Sequence, residues 1–227
     1  MLIAEDLYLL LTKGTGTQEA PGTQRGTGLT AALVADLVFA GRATLTEEKR
    51  PRIHITAPEP IGNPVLDFGL ARLAEKNGKR LDQLVTWSKL DPEGIVVESL
   101  VAQGVLAYGE RTFLGMGKPR TPEVDPGPER QLRDRLAAVL AGAAPASPAD
   151  ATLLSILQGL GVARKVLAVE SGDLRARDLK ARIEQIVEHS PTGEAVDRAI
   201  QAMNAAFMAA AMVPIMAAGG GAAAAGG

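Results

Sequence analysis

Between Gly28 and Ala40 the chain is apolar nearly all round: Leu29, Leu33, Val34, Leu37, Val38 and Phe39 stand against only Thr30 and Asp36. A helix without a polar face belongs in the middle of a bundle, because any other position would leave apolar surface in water. Gly41 is placed to end it. The rest of the sequence must therefore supply partners that surround this segment. Aromatic residues make up only 3% of the chain while hydrophobic residues reach 46%, so Leu, Val, Ile and Ala must fill the core. That composition suits packed helices better than a sheet, since strands favour β-branched and aromatic side chains.

The spacing predicts such partners along the chain. Leu2, Ile3, Leu7, Leu10 and Leu11 recur at helical intervals and imply a first helix over Ala4 to Thr12. A Gly/Thr-rich loop, Lys13 to Thr27, follows it. Ala43 to Thr56 changes period, with Leu45 and the alternating Arg52-Ile53-His54-Ile55-Thr56 on either side of a charged tip, and reads as a β-hairpin. Further helices are expected over Val65 to Asn77, Leu81 to Lys89 (which carries the only Trp, Trp87) and from Asp91, as N-cap, to Gln103. Val105 to Met116 reads as a second hairpin turning at Gly109-Glu110, and Pro119 to Pro128 as an extended connection. Helices then follow over Glu129 to Leu140, from a cap at Asp150, over Asp178 to Glu188, and over Thr192 to Ala210.

The expected fold is thus mainly α: a compact helical bundle with surrounding amphipathic helices and two small β-hairpins. One domain covers 1–218, and a Gly/Ala tail, 219–227, is expected to be disordered. The pattern Leu-Val-x-x-Gly followed by a hairpin occurs at Leu37 to Gly41 and again at Leu100 to Gly104, which fits either an internal repeat or a recurrence of local chemistry.

Charge and composition restrict the function. A formal net charge of −2 provides no global basic excess to draw in nucleic acid or an anionic membrane, so any such attraction must come from a local patch. No cysteine is present, which excludes disulfides, thiolate catalysis and sulfur-ligated metals. The opening Met1 to Leu7 lacks the basic start of a signal peptide, and no apolar run reaches the roughly 18–20 residues that span a bilayer. The expected place is cytoplasmic.

His54 and His189 are the only histidines, and neither has metal-ligating neighbours at a useful spacing. No Ser occupies a nucleophile elbow. No catalytic residue, metal site or cofactor is expected, and the chain is read as a non-enzyme. Gly26-Thr27-Gly28-Leu29-Thr30-Ala31 matches G-x-G-x-x-A but follows a loop and not a strand, so a dinucleotide site is disfavoured. Free N–H groups at that helix start could still hold a phosphate, with Gly28 and Thr30 as the residues concerned. Arg111, Lys118 and Arg120 form a local basic group beside Tyr108, Phe113, Leu114 and Met116. A hairpin that presents apolar residues next to cations suits a bilayer interface or a second subunit, and suits equally a hairpin packed on its own core.

The order of elements resembles the Golgi phosphoprotein 3 family. Leu2-Ile3-Ala4-Glu5-Asp6-Leu7-Tyr8-Leu9-Leu10-Leu11 is similar to its acidic-then-leucine first helix. Gly28-Leu29 through Ala40-Gly41-Arg42-Ala43-Thr44-Leu45 resembles its second helix and first hairpin. Pro64-Val65-Leu66-Asp67 resembles its third helix, and Leu100 to Leu106 followed by Thr112 to Met116 its exposed hairpin. The resemblance implies a helical peripheral membrane protein that binds phosphatidylinositol 4-phosphate or a like anionic phospholipid, serves as an adaptor for membrane enzymes, and uses the hairpin at Tyr108, Phe113, Leu114 and Met116 for membrane contact or self-association. The family's headgroup positions fall on Pro21, Thr30 and near Leu90 and Glu93, none of them conservative replacements. The implied headgroup residues are then Gly28, Thr30, Arg111, Lys118 and Arg120. Two other readings stay open: a winged-helix-like nucleic-acid binder, and an oligomerisation or sorting module without a lipid ligand. Against the former, the helix before the second hairpin carries Asp91, Glu93 and Glu98 and no base. The Ala/Gly/Val-rich composition has a bacterial style.

Overall fold

The computed structural model describes residues 1–20, 25–48, 50–109 and 119–189. Helix α1 (Ile3–Leu10) is buried over its whole length, and α2 (Arg25–Phe39) is buried from Gly28 to Leu37. The two pack on each other at the centre, as the missing polar face of α2 requires. The one acid in the buried stretch of α2 has a use there. Asp36 accepts the N–H of Ile3 at 2.8 Å and of Ala4 at 3.0 Å, satisfying donors that the start of α1 would leave bare.

The first hairpin forms as expected, with β1 (Ala43–Leu45) antiparallel to β2 (Ile53–Ile55) and Thr44 opposite His54. Helix α3 (Pro64–Ala74) is capped by Asn63, whose side chain accepts from Val65 and Leu66. The stretch Leu81 to Lys89 is not one helix: α4 (Leu81–Leu84) ends before Trp87, and a separate 3-10 turn covers Ser88–Leu90. Helix α5 (Glu93–Ala102) then packs on α1 and α3, with Asp91 accepting the Glu93 N–H at 3.0 Å.

The second hairpin differs from its sequence reading. Gly109 does not turn the chain; its N–H donates to the carbonyl of Arg120 at 2.8 Å, Ala107 donates to Pro122 at 3.0 Å and Val124 to Val105 at 2.9 Å. The Pro-rich stretch read as a connection is the returning arm. Proline lacks a donor but keeps its carbonyl, so it can form the accepting side of an edge pairing. Residues 110–118, between the arms, lie outside the described residues.

Helix α6 (Gly127–Ala141), α7 (Pro148–Gly159), the short α8 (Ala163–Val166), which the sequence reading did not anticipate, and α9 (Ala176–Glu188) complete the described chain. Helix α7 packs on α2 and α9 covers α7. Ser147, not Asp150, is the N-cap of α7; Asp150 is the reciprocal partner three residues on, accepting the Ser147 N–H at 3.0 Å. Arg135 of α6 binds Asp150 at 2.7 Å and Asp6 of α1 at 3.2 Å, so one guanidinium joins three helices. The expected helix over Thr192 to Ala210 and the Gly/Ala tail lie outside the described residues.

The Leu-Val-x-x-Gly recurrence has a local explanation. Gly41 and Gly104 both take positive φ, and the residue after each donates back to Leu37 or Leu100. The same closure ends α6 at Gly142 and α7 at Gly161, where no hairpin follows. It is a helix stop that accommodates left-handed backbone at glycine.

Candidate functional site

A cavity of about 450 Å³ lies where α1, the loop after it, the start of α2, the start of α5 and the two arms converge. Tyr8 reaches it from α1 because helical spacing turns it away from Leu7 and Leu10 toward the arms. The ring is buried and its hydroxyl meets Thr121 Oγ1 at 2.7 Å. Gly16, at φ +79, brings the loop against the returning arm; a Cβ there would stand 2.6 Å from the Thr121 nitrogen. No other residue type permits that approach.

Arg25, the first residue of α2, lies over Tyr8 with its guanidinium carbon 5.1 Å from the ring centroid. Its Nη2 pairs with the Glu93 carboxylate and its Nη1 lies 3.4 Å from Thr12 Oγ1. Its Nε–H is buried and has no acceptor among the described residues. Val97 and Glu98 of α5, and Tyr108, Pro119 and Arg120 of the arms, complete the wall. Arg120 and Glu98 are exposed and form no ion pair among the described residues.

Exposed cations surround this end of the bundle. Leu160, just past α7, packs on Gly28 in the first turns of α2, and α8 follows directly with Arg164 and Lys165 exposed. Arg133 of α6 donates to the Val166 carbonyl at 3.1 Å, which ties α8 to the helix that leaves the arms, where Arg130 is exposed. Exposed acids are interspersed among them: Glu98, Asp125, Asp134 and Asp173. At the foot of the returning arm, burial and the facing Glu129 push the Glu123 carboxyl up to about 7.

The residues expected at a headgroup site are not brought together as a set. Helix α2 starts at Arg25, so Gly28 is not at its beginning; Gly28 is buried, and a Cβ there would meet Leu160 Cδ1 at 2.8 Å. Thr30 is buried and its hydroxyl donates to the Leu90 carbonyl at 3.3 Å. The start of α2 already faces a carboxylate of the chain itself, with Asp91 occupying the place where a Gly26 side chain would begin. Arg120 and Tyr108 do line the cavity. Arg111, Lys118, Phe113, Leu114 and Met116 lie outside the described residues. Sequence reasoning missed Arg25 and Tyr8. A signal existed for Tyr8, one of two tyrosines in the chain and set in a leucine-rich helix. Arg25 was hidden because the Gly-Thr-Gly that follows it reads as loop.

A family model described as Golgi phosphoprotein 3 (GPP34) matches residues 3–203. This chain belongs to the Golgi phosphoprotein 3 family. Comparison with curated proteins finds no match. Among the positions onto which the headgroup site of the Golgi phosphoprotein 3 family falls, Leu90 and Thr30 are buried in this member and Pro21 lies outside the described residues. Among the described ones Glu93 alone lines the cavity, and it brings the opposite charge. No helix among the described residues is long and apolar enough to cross a membrane, and among them no group of His, Asp or Glu is placed to hold a metal ion.

Proposed function

We propose that this family member is a peripheral membrane protein that binds anionic phospholipid through the cavity at the start of α2, on the cytoplasmic, inner face of a membrane, as a binding protein and not an enzyme. The observation that carries the reading is Arg25: a cation fixed against Tyr8 in the wall of an open cavity that the exposed Arg120 also lines. The planar guanidinium fork matches the oxygens of a phosphate as it matches a carboxylate. The exposed Arg120, Arg130, Arg164 and Lys165 add a local attraction to anionic surface that the net charge of the chain does not provide. An adaptor role toward membrane enzymes, and self-association through the Tyr108 to Met116 stretch, extend this reading.

Nucleic acid is not the partner on this reading, since α5, the helix before the arms, directs Glu93 and Glu98 to the cavity and carries no base. The test is co-sedimentation with neutral and anionic vesicles, with a Phe113→Asp/Leu114→Asp variant and an Arg120→Glu variant alongside. Binding that needs anionic lipid and weakens in both variants supports the reading. Absence of binding to every bilayer rejects it and turns the search to protein partners.

A further inference from the structure

We infer that the returning arm is latched to α6 by one proton held between the carboxyl groups of Glu123 and Glu129, which makes the wall of the cavity a pH-sensitive part of the fold. The inference concerns the opening of the cavity, whatever occupies it. Side chains of an extended segment alternate, so Thr121 and Glu123 share one face of the arm and the exposed Arg120 and Val124 share the other. Thr121 bonds the Tyr8 hydroxyl at 2.7 Å. Two residues on, the half-buried Glu123 is hydrogen-bonded to Glu129 of α6. The inward face is thus pinned at two points, once to α1 and once to α6. The Glu123 backbone donates its N–H to the Gly14 carbonyl at 3.0 Å and pairs with Leu106 of the other arm.

Ionised carboxylates only accept, so a hydrogen bond between two of them needs a proton on one. The surroundings decide which. Arg133 donates through Nε to Glu129 at 2.7 Å and through Nη1 to Glu170 at 2.8 Å. Glu129 also stands in the first turn of α6, where the helix dipole favours an anion. Glu129 is therefore the ionised acceptor and Glu123 carries the proton. Burial first, then Glu129 and Asp125, raise Glu123 from 4.5 to about 7, while Arg130 of α6 works the other way. Opening the arm returns Glu123 to water and to its ordinary value, so opening releases a proton between those two values. The latch is full below them and weakens as pH rises toward the upper one. The cavity changes with it, because Pro119, Arg120 and Thr121 of this arm form part of its wall.

The test is amide hydrogen exchange of the full chain without ligand. Protection of the Ala107, Gly109 and Val124 N–H groups, corrected for intrinsic exchange, is expected to fall by about threefold or more per unit between about pH 5 and 7, tenfold being the limit for one proton, and then to level off. Glu123→Gln, whose amide still donates to Glu129, should abolish the slope. Asp36→Asn, which removes a buried acid elsewhere, should leave the slope of these amides unchanged. A carbon-13 titration of the Glu123 carboxyl gives a second reading: its midpoint should lie above the ordinary carboxylate range and fall in Glu129→Gln. Protection that does not vary with pH, a slope that survives Glu123→Gln or vanishes in Asp36→Asn, or a Glu123 carboxyl that titrates in the ordinary range overturns the inference. No lipid takes part, so these outcomes stand apart from success or failure of the phospholipid reading.

Discussion

Asp36 accepts the backbone N–H of Ile3 at 2.8 Å, so the central helix of the bundle caps the helix packed against it. The price of that cap is a carboxyl group taken out of water.

Burial pushes Asp36 up to about 7, against the lowering effect of the Ala4 and Ile3 N–H groups. The folded protein therefore holds a proton that the unfolded chain releases near its ordinary value of 3.8. The stabilisation is full below that value and is lost as pH rises through the folded value, by up to about 1.4 kcal/mol per pH unit. Glu123 adds the same sign in this window. Urea unfolding between pH 4 and 7 should show stability falling with pH, and Asp36→Asn should flatten the slope. An unchanged slope would remove Asp36 as its source.

Arg135 joins α1, α6 and α7 through Asp6 and Asp150, the latter only 2% exposed. Arg135→Ala leaves a buried carboxylate with only its Ser147 contacts. Because the Arg135 side chain is about half exposed, solvent screening reduces the loss to about 1–2 kcal/mol. Arg175→Ala, which removes a fully surface pair with Asp178, should change stability by less than about 0.5 kcal/mol. Denaturant midpoints for the two variants check this contrast.

The Tyr8 hydroxyl and Thr121 are mutually bonded and both buried. Tyr8→Phe should cost about 1 kcal/mol, and combined with Thr121→Val it should cost less than the sum of the two. Strict additivity in the double-mutant cycle would show that the contact contributes nothing.

Gly16→Ala places a Cβ against the Thr121 backbone at a left-handed residue and should destabilise by at least about 1–2 kcal/mol, weakening vesicle binding with it. Gly94→Ala, in the first turn of α5 with open space around it, should instead stabilise by about 0.5–1 kcal/mol. Thermal melts of both variants distinguish a packed loop from a loose one.

Much of the helical architecture was legible because it depends on periodicity. The position of α2 at the centre follows from Leu29 through Phe39 having no polar face, and the first hairpin follows from alternation around Ile53 and Ile55. The second pair of arms was placed wrongly because alternation does not report which carbonyl accepts, and Pro119 to Pro128 read as an extended connection while Pro122 serves as an acceptor for Ala107. The site was the least legible part. Arg25 and Glu93 are 68 positions apart, Tyr8 and Thr121 are 113 apart, and no local pattern announces either pair. Gly28 and Thr30, which looked like a phosphate-binding start, are buried because α2 begins a turn earlier than its glycines indicate.

The Tyr8–Thr121 bond has a mechanical consequence. The arms over 105–109 and 120–124 hold each other by a short run of backbone bonds, and the returning arm is fastened to α1 by that hydroxyl contact. Whatever pulls on the two arms therefore loads a helix that is buried along its entire length, so the arms are moored to the keel of the protein and not to its planking.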